Sequence, residues 1–231
     1  MPLDAGEHPE VMTPRLGNAA VLFVGLLLLS GCSSLPGGTA GSGTSKTETR
    51  AVTGFTSIEL ASSGDVQLKQ TGTESLTVTA EDNLLPLLTS EVVDKVLKLG
   101  VKDNANLDAK QPITYQVTVR ELTGLDVAGT GSQTATDVKT SSLRVRVAGS
   151  GSVTTSGSAD AQDIQMAGSG AYHGSGLASL TVTVNSAGSG AAEIAVKDRL
   201  QVTIIGSGNV TYAGSPQVQQ SIVGSGTLQK K

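Results

Sequence analysis

The most regular feature of the chain is an alternation of apolar and polar residues, which is interrupted by glycine triplets. Apolar residues stand two and four positions before the first glycine of each triplet, and the residues between them are mostly polar or charged. Ten of these twelve positions are apolar; in order along the chain they hold Leu125, Val127, Val145, Val147, Ile164, Met166, Val184, Ser186, Val202, Ile204, Gln220 and Ile222. A period of two predicts β-strands with one buried and one solvated face.

The triplets recur at nearly regular intervals, and their first glycines are Gly129, Gly149, Gly168, Gly188, Gly206 and Gly224. Because glycine readily adopts positive φ, we interpret each triplet as a corner between strands. A second strand begins at the fourth position after the first glycine, in the last five repeats at Val153, Tyr172, Ala192, Val210 or Leu228. The pattern predicts an all-β fold, a solenoid of about six parallel coils of 18–20 residues that bury a shared core.

Residues 50–122 are less regular but also read as β-structure, so we expect residues 50–231 to form one continuous domain. Short alternating stretches include residues 55–60, 66–68, 76–80 and 113–119. The sequence LLPLL after Asp82 and Asn83 predicts one helical turn with a polar cap. Asp94 and Lys95 lie between two valine-rich stretches and predict a hairpin turn, and residues 103–112 read as a polar loop.

Residues 1–31 read as a bacterial lipoprotein signal peptide. The uninterrupted apolar run from Ala19 to Leu29 is too short for a stable membrane-spanning helix but suits a signal peptide. It is followed by Leu29-Ser30-Gly31-Cys32, which resembles a lipobox and predicts lipid attachment at Cys32, the only cysteine. The alternative is an ordinary signal peptide with an incidental cysteine. Ser33 after the cysteine resembles the pattern that sorts lipoproteins to the outer membrane.

Two further expectations concern this end of the chain. Residues 1–11 carry three acidic residues, whereas a signal peptide begins with positive charge, so Met12 is the expected initiator. Residues 32–49 are rich in Gly, Ser and Thr and have little apolar surface, which predicts a flexible tether between the lipid and the domain.

Four features in order resemble one bacterial family. They are Phe55-x-x-Ile58-x-Leu60 leading to Ser63-Gly64-Asp65-Val66, the strand from Leu76 to Asp82 with its LLPLL turn, Leu97-x-Leu99, and the array of strands and Gly-Ser-Gly corners. Together they resemble the "putative auto-transporter adhesin, head GIN domain" family over about residues 50–210. The resemblance implies a right-handed parallel β-helix-like fold, commonly exported and often lipid-anchored. It brings no active-site residues.

Composition excludes several classes of function. A net charge of -4 argues against a nucleic-acid partner, which usually requires a basic face. Aromatic residues make up 2% of the chain, which argues against an aromatic groove that stacks on sugars. One cysteine excludes an internal disulfide framework, and two histidines leave little for a metal centre. We expect no cofactor.

The candidate catalytic and metal-binding groups favour structural interpretations. The triplets lack the lysine and the spacing of a phosphate-binding loop. The serines within them have no nearby histidine to activate them; they are Ser150, Ser169, Ser189, Ser207 and Ser225. His173, the only histidine of the domain, is expected in a surface loop rather than in a metal site. One alternative stays open, namely that carboxylates on neighbouring coils form the pair that glycosidases use.

The outward face of the first coils carries acidic and basic residues. When the coils are aligned on their glycine corners, opposite charges lie beside each other. Asp126 is then expected beside Arg146, and Arg144 beside Asp163. Such pairs would fix the register of the strands. The alternative is that Arg144 and Arg146 form a basic patch for an anionic envelope ligand.

Two functions of different classes follow from these observations. The first is a non-enzymatic, lipid-anchored protein of the cell envelope, expected at the outer membrane, with an adhesin-like, binding or structural role and an envelope protein or glycan as its ligand. The alternative is a carbohydrate-active β-helix enzyme that acts on an envelope or extracellular polysaccharide. Clustered carboxylates beside a groove would favour the enzyme. The scarcity of aromatic residues favours the binding protein.

Overall fold

The computed structural model describes residues 38–231, and the signal peptide and Cys32 lie outside this range. Strands make up 71% of the structure, and a single 3-10 turn covers Leu85–Leu87. The irregular N-terminal part contains nine strands: β1 (Thr39–Ala40), β2 (Ser45–Arg50), β3 (Ser57–Leu60), β4 (Asp65–Gln70), β5 (Ser75–Glu81), β6 (Leu88–Val93), β7 (Val96–Val101), β8 (Leu107–Asp108) and β9 (Thr114–Val119).

The remaining strands form the solenoid, and four of them are long because they run on past a bend in the coil. They are β10 (Gly124–Gly129), β11 (Ser132–Gly149), β12 (Ser152–Gly168), β13 (Ala171–Gly188), β14 (Ala191–Gly206), β15 (Asn209–Ala213), β16 (Gln217–Gly224) and β17 (Thr227–Lys230). All of their pairings with one another are parallel. The predicted all-β solenoid is therefore confirmed. It has about five turns rather than six, because six corners delimit five intervals.

Each coil has two main sides that meet at the glycine corner. We call the strand segment before the triplet side A and the segment after it side B. The first glycines are in register from coil to coil, and all six have positive φ, from 111° at Gly149 to 131° at Gly129. The predicted corners are confirmed.

The N-terminal part continues both sides of the solenoid. On side A, β3 pairs with β10 and with β7, and on side B, β4 pairs with β11 and with β9. The predicted hairpin is present, with Asp94 and Lys95 at φ 51° and 65° between the antiparallel strands β6 and β7. The loop before β9 contains the short strand β8, which pairs with β1.

Two expectations for the N-terminal part are wrong in detail. Residues 32–49 were predicted to be a flexible tether, but Thr39–Ala40 forms β1 and β2 begins at Ser45. These strands are held by polar contacts and by antiparallel pairing of β2 with β5, which their own sequence does not reveal. The 3-10 turn has no side-chain cap, because Asp82 and Asn83 bind residues 40–42 instead.

The core follows the predicted parity. Val145 and Leu125 are fully buried, and Val147 and Val127 are 1% exposed. Ser186, the polar residue at an inward position of the fourth triplet, is also buried. In the last coil the inward-facing Val218 is 39% exposed, because no further described strand covers it.

Candidate functional surface

The outward face of side A carries a continuous row of apolar side chains directly before the glycine corners. Its members lie in register on neighbouring strands and are all exposed; they are Ala128, Ala148, Ala167, Ala187, Ile205 and Val223. We call this the apolar row. Because neighbouring strands lie about 4.8 Å apart, six members extend about 24 Å along the solenoid. Ile205 and Val223 are 57% and 64% exposed, which makes the end of the row its most apolar part.

A second row runs beside the apolar row, two positions earlier on each strand. It changes from charged to neutral along the solenoid and consists of Asp126, Arg146, Gln165, Asn185, Thr203 and Ser221. Between the two rows lies a shallow groove of about 450 Å³ that extends from Arg146 and Ala148 to Thr203 and Ile205. Side A therefore presents an elongated surface with methyl groups along one edge and amide and hydroxyl groups along the other.

The predicted pairing of Asp126 with Arg146 is confirmed. The two residues are in register, and the Arg146 Nε atom lies 4.0 Å from the Asp126 Oδ1 atom. At this distance the contact is an ion pair rather than a hydrogen bond. Among the described residues no group donates a hydrogen bond to this oxygen, although it is buried.

Arg144 and Asp163 are also in register, as predicted, but the expected ion pair between them is absent from the described part of the chain. The Asp163 Oδ2 atom accepts a hydrogen bond from Gln165 Nε2 at 3.1 Å. Arg144 instead extends toward the preceding strand, with its Nη2 atom beside Gly124. Since glycine leaves space above that strand, the guanidinium approaches Asp126 rather than Asp163.

The environment of Asp126 is therefore crowded with charge. Burial is the largest influence and raises the pKa of this carboxyl above its ordinary value. Arg144 and Arg146 oppose the shift, while Glu59, the neighbour of Asp126 on β3, adds to it. Two carboxylates thus lie side by side across strands, flanked by two guanidinium groups. The basic patch considered for Arg144 and Arg146 is consequently balanced by acidic neighbours.

The remaining sequence candidates have structural positions. Each corner serine donates its backbone N–H to the carbonyl of the first glycine in the preceding corner, as Ser169 does to Gly149 at 2.9 Å. His173 is exposed, as predicted, but it lies on strand β13 rather than in a loop, between Thr154 and Glu193. Within residues 38–231, no cluster of three or more His, Cys, Asp or Glu residues is arranged to hold a metal ion.

A buried polar network in the middle coils was missed from the sequence. The Tyr172 hydroxyl donates to Gln162 Oε1 at 2.6 Å and contacts Thr155 Oγ1 at 2.8 Å, and Gln162 Nε2 donates to Ser179 Oγ at 2.5 Å. Burial raises the pKa of Tyr172, so its hydroxyl stays protonated. Gln162 occupies an inward position of the alternation, where the pattern otherwise favours apolar residues. A polar residue at that position is the signal that could have revealed the network.

Cys32, the predicted lipid-attachment residue, lies outside the described residues. Across residues 38–231, the structure has no helix with the length and apolar character to span a membrane.

Comparison with known proteins supports the fold and assigns the family. Similar solved structures include a "putative adhesin" from Bacteroides fragilis (21% identity, TM-score 0.69) and a "putative lipid binding protein" from Parabacteroides distasonis (23%, 0.53). Each alignment covers 84% of this chain. It covers 100% of the Bacteroides protein and 99% of the Parabacteroides protein. At these identities the likeness establishes the fold. No curated protein is a significant match.

The family comparison is more specific, because it covers most of the domain. The sequence profile of the "putative auto-transporter adhesin, head GIN domain" family matches residues 54–216, which include strands β3 to β15. The chain belongs to this family.

Proposed function

We propose that this protein is a non-enzymatic, lipid-anchored binding protein of the cell envelope, adhesin-like in role, and that side A of its solenoid is the binding surface. The observation that carries the proposal is the groove of about 450 Å³ between the apolar row and the polar row. Family membership supports the adhesin-like role and an association with the envelope. The Parabacteroides neighbour, whose name refers to lipid, agrees with an apolar contact surface.

The surface is suited to binding an extended partner. Its backbone is held by the parallel pairing of neighbouring strands, and the alanine side chains of the apolar row have no rotamers to lose when a ligand binds. The methyl groups of Ala148, Ala167 and Ala187 provide apolar contact, and Gln165 and Asn185 provide donors and acceptors in the adjacent row. A few placed polar groups beside an apolar floor are typical of ligand sites. An envelope protein or a glycan chain that lies along the solenoid axis would contact several coils at once.

The lipid anchor rests on the lipobox-like sequence before Cys32 and on its place ahead of the domain. Acylation with two or more chains would hold the protein stably at a membrane. Mass spectrometry of the N-terminal peptide tests this directly. In the wild type we expect a mature chain that begins at acylated Cys32. In the Cys32→Ser variant we expect the protein to lose its association with the membrane. A mature chain that begins elsewhere and lacks a lipid would contradict the anchor.

The enzymatic alternative has one observation in its favour, namely the adjacent carboxylates of Glu59 and Asp126 and the raised pKa of Asp126. A carboxyl with a raised pKa is what a general acid requires. The two functions are separated by incubating the full chain with envelope polysaccharides and measuring both retention of the polymer and release of reducing ends. We expect binding without release, unchanged in Glu59→Gln. Release that is lost in Glu59→Gln would establish the enzyme.

A further inference from the structure

The described part of the chain begins with a segment that has almost no apolar surface. Residues 38–44, here called the strap, read Gly-Thr-Ala-Gly-Ser-Gly-Thr and contain β1. The side chain of Ala40, the only residue of the strap with an apolar side chain, is exposed. The strap lies along the loop that contains β8, where Thr39 N donates to Asn106 O at 2.6 Å and Gly41 N donates to Asp108 O at 2.9 Å. Polar contacts must therefore hold it in place.

Three consecutive side chains at the end of β5 supply most of those contacts. Asn83 binds the strap twice, since its Nδ2 atom donates to Ala40 O at 2.8 Å and its Oδ1 atom accepts from Ser42 N at 2.9 Å. The Ser42 hydroxyl donates to Asp82 Oδ1 at 2.5 Å. The third side chain, Glu81, is completely buried.

Glu81 joins the strap to the loop that follows β8. Its Oε1 atom accepts the N–H of Gly43 in the strap at 2.6 Å, and its Oε2 atom accepts the N–H groups of Lys110 and Gln111 at 2.8 and 3.3 Å. A side chain at Gly41 would overlap the carboxylate, which explains why this residue of the strap is glycine. One carboxylate therefore accepts hydrogen bonds from three backbone N–H groups in two segments. If the carboxylate moves away, all three N–H groups lose this acceptor.

The charge of Glu81 matters for this arrangement. Burial is the largest influence and disfavours the ionised form, but the hydrogen bonds from Gly43, Lys110 and Gln111, together with the Lys110 charge, leave the pKa below its ordinary value of 4.5. The other charged residues on the elements packed around it are Asp82 on its own turn, Lys102, Asp103 and Asp108 in the loop that contains β8, and Lys46, Glu48 and Arg50 on β2. Because the pKa of Glu81 is lower in the folded chain, the carboxylate stabilises the attached strap fully at pH values above its ordinary pKa. This stabilisation is lost as the pH falls through the lower pKa of the folded chain.

The next element is held by different means. Strand β2 pairs with β5 along its whole length, from Ser45 opposite Glu81 to Arg50 opposite Leu76. The Arg50 guanidinium donates to the carbonyls of Leu85 and Leu88 at 2.9 Å each, which fixes the end of the strand. None of these bonds from Arg50 involves Glu81, so opening of the strap ends at β2.

We propose that Glu81 is a carboxylate latch, and that residues 38–44 open as a separate unit when this carboxylate is neutralised while the solenoid stays folded. A segment held by polar contacts alone belongs to the least stable part of a fold. The released strap spans up to about 25 Å when extended. If Cys32 carries the proposed lipid, opening lengthens the connection between membrane and solenoid by that amount; the latch itself does not depend on the lipid.

Hydrogen exchange of the full chain at pH 7 tests the latch, with Glu81→Gln compared with the matched control Glu48→Gln on the exposed face of β2. In Glu81→Gln we expect the amides of Thr39, Gly41, Gly43, Lys110 and Gln111 to lose at least about tenfold in protection, with strands β11 to β14 unchanged. Glu48→Gln should match the wild type. In the wild type, the same amides should lose protection together as the pH falls below 4.5, the ordinary pKa of this side chain, because the pKa of Glu81 is lowered in the folded chain.

Gly41→Ala provides a second route to the open state, because the new methyl group displaces the strap without altering Glu81. It should reproduce the local loss of protection and leave the solenoid intact. Strap protection that persists in both variants would overturn the proposal. A loss of protection throughout β11 to β14 would also overturn it, because Glu81 would then support the whole fold rather than one strap.

Discussion

Gly168 lies directly beside Gly149 of the preceding coil, and its own backbone has a φ of 115°. A Cβ atom built on Gly168 would lie 2.5 Å from the Gly149 carbonyl oxygen. This relationship repeats along the corner, so the column of glycines combines an unusual backbone conformation with close stacking of one coil on the next.

Gly168→Ala should therefore lower the free energy of unfolding by about 2–4 kcal/mol, because it adds backbone strain and a clash with main chain. Ser169→Ala changes the adjacent, exposed corner residue and should stay within about 0.5 kcal/mol of the wild type. Urea denaturation of both variants measures the difference. Equal midpoints and slopes would mean that the corner tolerates a side chain and that the column is incorrectly placed.

The parity of side A gives a second prediction. Val145 is fully buried, whereas Thr183 lies on the outward face between Asp163 and Gln201. Val145→Asp should cost several kcal/mol, because an unpaired carboxylate enters the core. Thr183→Asp should cost no more than about 1 kcal/mol, which allows for repulsion by Asp163. Thermal unfolding followed by circular dichroism compares them; similar losses would contradict the assigned parity.

The sequence predicted the elements whose cause is local. The alternation of residues such as Val145 and Val147 and the regular return of glycine follow from strand geometry and backbone conformation, which neighbouring residues determine. The turn at Asp94 and Lys95 is local in the same sense. These features located the solenoid, its corners and the outward-facing charged positions of side A, whereas the apolar row was not predicted.

The features that were missed depend on residues far apart in the chain. The strap resembles a linker because its partner, Glu81, lies at the far end of β5 and contributes a single buried carboxylate. Arg144 has the expected register, but its side chain occupies the space that Gly124 leaves free and therefore points away from Asp163. Register follows from a repeat, whereas the direction of a long side chain depends on the shape of its neighbours.

The buried network of Tyr172 gives a third prediction. Tyr172→Phe removes the hydroxyl that binds Gln162 and Thr155 and leaves their buried polar atoms without this partner. We expect a loss of about 1–3 kcal/mol in the free energy of unfolding. Tyr212→Phe, at a half-buried site in the last coils, is the control and should change it by less than about 0.5 kcal/mol. If the two losses are the same, the network contributes nothing beyond packing.

Asp126 gives a prediction on pH. Because burial raises its pKa in the folded state, ionisation of this carboxyl destabilises the fold above that pKa, and the penalty disappears below the ordinary pKa of the unfolded chain. Asp126→Asn should therefore unfold at a higher temperature than the wild type at pH 7. The advantage should vanish near pH 3. A variant that is less stable at pH 7 would show that Arg146 and Arg144 outweigh burial.

The central claim is that side A binds the ligand, and two alanines on either side of one corner test it most directly. Ala187 belongs to the apolar row of side A, whereas Ala191, just past the same corner, is exposed on side B. Each substitution is made in the unlipidated Cys32→Ser chain, so that the proposed lipid does not itself hold the protein at the envelope. Binding to intact envelope preparations should then be measured, after thermal unfolding has shown that Ala187→Glu and Ala191→Glu fold like the parent chain. The account predicts at least about tenfold weaker binding for Ala187→Glu, because a carboxylate would enter the apolar contact, and unchanged binding for Ala191→Glu. Equal binding by the two variants, or loss only in Ala191→Glu, would contradict it.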